Sequence, residues 1–190
     1  MKEGLLRSVR RALEGKLRTP LPPPLGSSQL QDAEARFIER FLGNGGEVVR
    51  PRDPEELQVW LAELRREFPR AAQSPSLPDL GFEIASPEEA SLGISLALGA
   101  VAETGTLLLG SGEGQRLQLL PPAHLVLVPS GRVYPDLSSA LAALWPFPSA
   151  LGLHSGPSRS SDIGRITVVG VHGPGRLLAV LLSWPLEQLG

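Results

Sequence analysis

Apolar and polar positions follow a helical period near the start of the chain, and continuous apolar runs replace that period later. One apolar stripe at helical spacing consists of Leu5, Leu6, Val9, Leu13 and Leu17. This stripe predicts an amphipathic helix over residues 1–18. Such a helix is either an arm that packs on its own domain or on a partner subunit, or an element that binds a membrane surface. The proline-rich residues 19–29 predict a linker. We therefore expect an N-terminal arm over residues 1–29 and a single α/β domain over residues 30–190.

Two further helices are predicted in the first third of the chain. One runs from about residue 30 to residue 42 and ends at Gly43-Asn44-Gly45-Gly46, where glycine and asparagine tolerate a positive φ. The other begins at Asp53-Pro54, an N-cap acid followed by proline at the first helical position. Short strands are expected over residues 47–50 and near residues 82–85. A strand, a capped helix and a strand in succession are typical of α/β proteins.

The second half of the chain is rich in predicted strands. Ser86-Pro87-Glu88-Glu89 first gives the pattern of a helix start. Apolar runs of strand length follow over residues 106–109, 125–128, 166–171 and 177–182, most with the composition of buried parallel strands. Asp136 predicts the cap of a helix that extends through Leu144. Residues 90–102 and 163–169 are compatible with either helix or strand.

Composition restricts the class of protein. The 190 residues are 42% hydrophobic and 20% charged, which is typical of a globular protein, and the net charge of −2 gives no general reason to bind nucleic acid. There are no cysteines, which excludes disulfides, thiolate-bound zinc and an iron–sulfur cluster held by this chain. Because the chain has only three histidines, we also expect no metal site. No apolar run reaches about 20 residues, so we expect no membrane span and a cytoplasmic location.

Positive charge is concentrated around one polar segment. Residues 71–190 contain only five basic residues, and three of them lie in or beside residues 155–175: Arg159, Arg165 and Arg176. Ser155-Gly156-Pro157-Ser158-Arg159-Ser160-Ser161-Asp162 combines hydroxyls and glycine with an arginine that can bind a carboxylate or phosphate through two hydrogen bonds. The alternative is a capped turn with a surface ion pair.

Two other segments carry residues suited to catalysis. In Glu103-Thr104-Gly105-Thr106, a glutamate at the mouth of a strand suits a nucleophile, a base or a ligand anchor, or simply a solvated turn. In Gly170-Val171-His172-Gly173-Pro174, the histidine suits an acid or base near neutral pH, or a structural role. Ser155, Asp162 and His172 are not favoured as a catalytic triad, because the chain lacks the G-x-S-x-G pattern.

These segments together predict one site of polar loops closed around Glu103. Glu103 and His172 are the catalytic candidates. The ligand-binding candidates are Thr104, Gly105, Thr106, Ser155, Gly156, Ser158, Arg159, Asp162 and Gly173. We expect the ligand to be a small anion, either a carboxylate or a phosphate.

The ordered set of motifs resembles the LUD-domain family, named for lactate utilisation. The resemblance spans about residues 30–183 and rests on residues 103–106, Pro121-Pro122-Ala123-His124, residues 155–159 with Asp162-Ile163, and residues 170–174. It implies a three-layer α/β/α sandwich with a mostly parallel sheet, similar to ribose-phosphate isomerases and CoA transferases. It also implies two partner proteins that carry iron–sulfur clusters and, together with this family, oxidise L-lactate to pyruvate without NAD.

Three functions are compatible with these observations. The first is a non-redox subunit of a lactate-oxidising complex, with no cofactor of its own and with iron–sulfur clusters on its partners. The second is a stand-alone enzyme of the isomerase and CoA transferase type, acting on a phosphate ester, a CoA thioester or a folate-like ligand through Glu103. The third is a binding module without catalysis. The sequence leaves open whether this chain is an enzyme.

Overall fold

Two β-sheets organise the part of the chain that the computed structural model describes, residues 32–161, 167–170 and 172–189. The strands in chain order are β1 (Glu47–Val49), β2 (Arg70–Gln73), β3 (Glu83–Ile84), β4 (Leu92–Leu96), β5 (Gly99–Val101), β6 (Thr106–Gly110), β7 (Ala123–Val128), β8 (Val133–Tyr134), β9 (Leu151–His154), β10 (Arg159–Ser161), β11 (Thr167–Val169) and β12 (Arg176–Leu181). The α-helices are α1 (Ala33–Gly43), α2 (Pro54–Glu67), α3 (Gln115–Leu119) and α4 (Leu137–Ala143). Short 3₁₀ helices lie at Ser111–Glu113 and Leu186–Leu189.

The larger sheet is parallel throughout, in the order β1-β12-β7-β4-β2-β3. Its central strands β7 and β12 are apolar along nearly their whole length because helices or strands cover both faces. On one face, Leu125 and Leu127 pack with Leu57 and Leu61 of α2. The mostly parallel sheet with packed helices confirms the predicted α/β class.

The other face of the parallel sheet is covered by α1 and by the smaller sheet, in the order β8-β5-β6-β9. Phe37 and Phe41 of α1 stack with ring centroids 5.3 Å apart and are fully buried. Leu107 and Leu109 of β6 join them against Val126 of β7. The third layer therefore combines a helix with a sheet, and α4 packs on the outer side of that sheet.

Local interactions confirm the predicted starts of α2 and α4 and the predicted end of α1. The Asp53 carboxylate accepts a hydrogen bond from the Glu56 N–H at 2.8 Å. Asp136 accepts one from the Ser139 N–H at 2.7 Å in the same way. The segment after α1 turns at Gly45, whose φ of +87° is in the region that favours glycine.

The predicted helix start at Ser86 is wrong. The N–H groups of Glu89 and Ala90 both donate to the Ser86 carbonyl, and the chain then leaves this single turn for β4. The reason is the alternation of Leu92, Ile94 and Leu96 into the core below the sheet, which outweighs a local capping pattern. The undecided residues 90–102 thus contain β4 and β5.

Two apolar runs with the composition of parallel strands are instead antiparallel. β6 pairs with β5 and β9, and β11 pairs with β10. The four residues between β5 and β6, and the five between β10 and β11, are too few for the crossover that a parallel pair requires.

Several predictions concern residues outside the described ranges. They are the amphipathic helix over residues 1–18, the linker over residues 19–29 and the position of Asp162. Within the described ranges, the helices are all too short or too polar to span a membrane.

Replacing Asp53 by alanine should lower the free energy of unfolding by about 1 kcal/mol, because the Glu56 N–H loses its acceptor. Asp53→Asn keeps a side-chain oxygen at that position and should lose less. Urea denaturation followed by circular dichroism measures both differences. Equal losses in the two variants would show that the negative charge, rather than the hydrogen bond, stabilises α2.

Candidate functional site

Three hydroxyl groups form a continuous chain where the β5–β6 turn meets the end of β9. Thr104 Oγ1 lies 2.6 Å from Thr106 Oγ1, and Thr106 Oγ1 lies 2.7 Å from Ser155 Oγ. The register explains the contact, because Leu107 pairs with His154 and so places Ser155 opposite Thr106. Two segments that are about fifty residues apart in sequence therefore share one hydrogen-bonded group.

Gly105 brings this turn into direct contact with α1. Its φ is +64°, and a methyl group built on it would lie 2.5 Å from the backbone nitrogen of Phe41. Asn44, just after α1, donates from its side-chain amide to the Thr104 carbonyl at 3.0 Å. Only glycine allows both this backbone conformation and this approach.

The loop after α1 also contacts the segment that carries Arg159. The Arg159 guanidinium lies over the α-carbon of Gly45, in the space that a side chain at Gly45 would occupy. A methyl group on Gly156 would lie 2.7 Å from the Asn44 carbonyl oxygen. Residues 44–45, 104–106 and 155–159 therefore form one loop cluster, and we use that name for these three segments.

Residues 170 and 172–175 lie against the same cluster, and two backbone hydrogen bonds join them to it. The Ser158 N–H donates to the Pro174 carbonyl at 2.8 Å, and the Gly170 N–H donates to the Ser158 carbonyl at 2.8 Å. A methyl group on Gly173 would lie 3.3 Å from Ser158 Cβ. The two polar loops that the sequence singled out are thus in contact.

The two catalytic candidates make fewer contacts. Glu103 is exposed, and its N–H donates to the Pro135 carbonyl at 3.0 Å. His172 is exposed as well. No hydrogen bond or ion pair within the described ranges joins the side chain of either residue to Arg159, so closure of the loops around Glu103 stays a prediction.

A buried histidine forms a second polar group, which the sequence analysis did not single out as a site. His124 lies on the face of the parallel sheet that meets the smaller sheet, and its Nε2 is 2.9 Å from Ser95 Oγ. Complete burial, with a smaller contribution from His154, lowers the pKa of His124 from 6.5 to about 3. The rings of His124 and His154 meet edge to face at 6.2 Å, and burial lowers the pKa of His154 too.

Ser95 and His154 could have been found from the sequence only indirectly. Ser95 is a polar residue within the apolar run of β4, and His154 closes the run Leu151-Gly152-Leu153-His154. Neither pattern indicates that the two residues flank His124. Across the described ranges, no group of three or more histidine, aspartate or glutamate side chains is placed to hold a metal ion.

Comparison with known proteins defines the class. A crystal structure of a DUF162 family protein from Deinococcus radiodurans has the same fold, with a TM-score of 0.63 at 19% identity over 83% of this chain and 99% of that one. The model of the LUD domain matches residues 85–182. The chain belongs to the LUD domain family, which confirms the resemblance seen in its motifs.

Two relatives are similar to this chain over most of its length. Lactate utilization protein C of Geobacillus kaustophilus is 32% identical over 83% of this chain and 70% of that protein. Lactate utilization protein C of Bacillus subtilis has the same identity and coverage.

The buried His124 should make stability depend on pH. The unfolded chain takes up a proton near pH 6.5, whereas the folded chain resists protonation of His124 until about pH 3. The stability from neutral His124 is therefore fully present above pH 6.5 and is lost as the pH falls toward 3, by up to about 1.4 kcal/mol per pH unit.

Urea unfolding at a series of pH values between neutral and mildly acidic measures this loss. His124→Gln should have a shallower decline than the unmodified protein. His172→Gln, at an exposed histidine, is the matched control and should keep the full decline. A decline that is unchanged in His124→Gln would contradict the assignment.

Proposed function

We propose that this protein acts in lactate utilisation as a non-redox subunit that works beside iron–sulfur partner proteins. Membership of the LUD domain family and the relatives named lactate utilization protein C support the pathway. The composition of the chain supports a non-redox role, because these 190 residues include no cysteine to hold an iron–sulfur cluster. The partners carry the clusters and transfer the electrons, and this chain contributes binding.

The loop cluster is the binding element in this proposal, and the observation that carries it is the placement of Arg159. Its guanidinium lies over Gly45, beside the segment whose Ser155 hydroxyl belongs to the chain with Thr106. By contrast, Arg176 is held by both Glu47 and Glu67. Within the described ranges Arg159 has no carboxylate partner, so its two-pronged donor set is open to the carboxylate of a small ligand.

The proposal requires no catalysis by Glu103 or His172. Both side chains are exposed, and none of their described contacts connects them with Arg159. A stand-alone enzyme that uses Glu103 on a phosphate ester, CoA thioester or folate-like ligand therefore stays a prediction of the sequence alone. No specific contact in the described ranges favours it.

Binding of a small carboxylate should raise the unfolding temperature. We expect L-lactate or pyruvate at millimolar concentration to stabilise the purified protein by mass action. Arg159→Ala should abolish the response, whereas Arg66→Ala should keep it, since Arg66 is an exposed residue of α2 on the opposite side of the parallel sheet. An unchanged rise in the unfolding temperature of Arg159→Ala would show that the loop cluster does not bind the carboxylate.

Association with iron–sulfur proteins is tested separately. Tagged protein isolated anaerobically from its native cells should bring down cysteine-rich partners together with stoichiometric iron. Iron analysis and mass spectrometry of the purified material measure this. Recovery of the tagged chain without iron, under conditions that preserve iron–sulfur clusters, would contradict the role as a subunit while leaving carboxylate binding testable.

A further inference from the structure

A cleft separate from the loop cluster lies between α3 and the smaller sheet. It has a volume of about 260 Å³ and opens between β6, β9 and the residues around α3. That volume is slightly below the range of about 300–1,000 Å³ for sites of drug-sized ligands, so the cleft suits a molecule with a single ring. Leu109, Leu119 and Leu151 supply its apolar walls.

The polar groups of the cleft are all uncharged. They are the side chains of Ser111, Gln115, Gln118 and His154. Burial lowers the pKa of His154, which keeps its imidazole neutral near pH 7. Among the described residues that line the cleft there is no carboxylate, lysine or arginine, which distinguishes it from the loop cluster and from an anion site.

Two of these polar groups lie close to each other beside Gly152 on the wall of the cleft. A methyl group built on Gly152 would lie 2.8 Å from His154 Nε2 and 3.2 Å from Gln118 Oε1. Within the described ranges, neither atom has a hydrogen-bond partner. A ligand edge that carries two adjacent polar groups and enters the cleft beside Gly152 would therefore face both atoms.

The orientation of the Gln118 amide decides what that group must be. Gln118 Nε2 donates to the Gly110 carbonyl at 3.1 Å, and the residue is buried, so the free end of the amide is the oxygen. A ligand must therefore present a hydrogen-bond donor, an N–H or an O–H, to Oε1. A carboxylate has no donor and would bring a negative charge against the lone pairs of that oxygen.

The position of the His154 ring is fixed by its contact with His124. Its ring meets the edge of His124 at 6.2 Å, and His124 is fixed in turn by Ser95. The imidazole edge therefore has a defined position, and its Nε2 can pair with the ligand's carbonyl or with a second N–H, according to the tautomer.

We propose that this cleft binds a neutral, planar, single-ring molecule that carries a carboxamide or lactam edge, with its N–H on Gln118 Oε1 and its adjacent polar atom on His154 Nε2. The ring lies between the leucine walls. This site is independent of the loop cluster and of the carboxylate proposed there.

Benzamide and benzoate are matched probes, because they share one shape and differ in the donor and the charge. Isothermal titration of the full chain should give a benzamide Kd about tenfold below that for benzoate, since a mispaired buried polar group costs on the order of that factor. Gly152→Ala should abolish benzamide binding, because its methyl group would lie 2.8 Å from His154 Nε2 and 3.2 Å from Gln118 Oε1 and would push these side chains out of position. Both contacts are with side-chain atoms and not with backbone, so the variant can fold by rotating these two side chains.

Three further variants keep the test decisive. Gly112→Ala, where no atom lies within 4 Å of the added methyl group, should bind benzamide normally. His154→Ala should weaken benzamide binding while the fold persists in circular dichroism. Arg159→Ala should leave it unchanged, so that failure of this site and failure of the carboxylate site are distinguishable. Equal affinity for the two probes, no measurable binding of benzamide, or full binding in Gly152→Ala would overturn the proposal.

Discussion

The close approach of Gly105 to the last turns of α1 is the contact on which the loop cluster depends. A methyl group at this position would already lie 2.5 Å from the Phe41 nitrogen, so any larger residue would force the turn away from the helix. α1 itself is fixed by the buried, stacked rings of Phe37 and Phe41 between the two sheets. The geometry of the loop cluster therefore depends on the packing of the core. The hydrogen bonds between its hydroxyl groups add to an arrangement that this packing already determines.

The two cores have different roles. Below the parallel sheet, α2 packs leucines on β7 and β12 in a layer without buried polar side chains from those strands. Above it, small residues and polar side chains interrupt the apolar surface: Gly93, Ser95 and His124 lie on that face. The first core supplies stability through burial of aliphatic surface. The second leaves room for the cleft and places neutral hydrogen-bonding groups beside it.

Features that depend on a few consecutive residues could be predicted from the sequence. Asp53 and Asp136 mark helix starts because the capping oxygen and its N–H donor are three residues apart. The residue types of the loop cluster were also readable, since hydroxyls, glycines and an arginine recur in two segments. Its assembly was not, because the contribution of Asn44 and Gly45 depends on tertiary contacts with residues far along the chain. Ser86 shows the opposite case, in which burial of neighbouring strand residues prevails over a sound local pattern.

Strand β9 connects the cleft and the loop cluster through adjacent residues. His154 faces the interior between the sheets, and the next residue, Ser155, reaches Thr106. Consecutive residues of an extended chain point to opposite faces, so a shift of one position between β6 and β9 would exchange the surroundings of both side chains at once. An insertion or deletion of a single residue near the start of β9 would therefore disrupt two separate polar groups together, while substitutions there could alter one and spare the other.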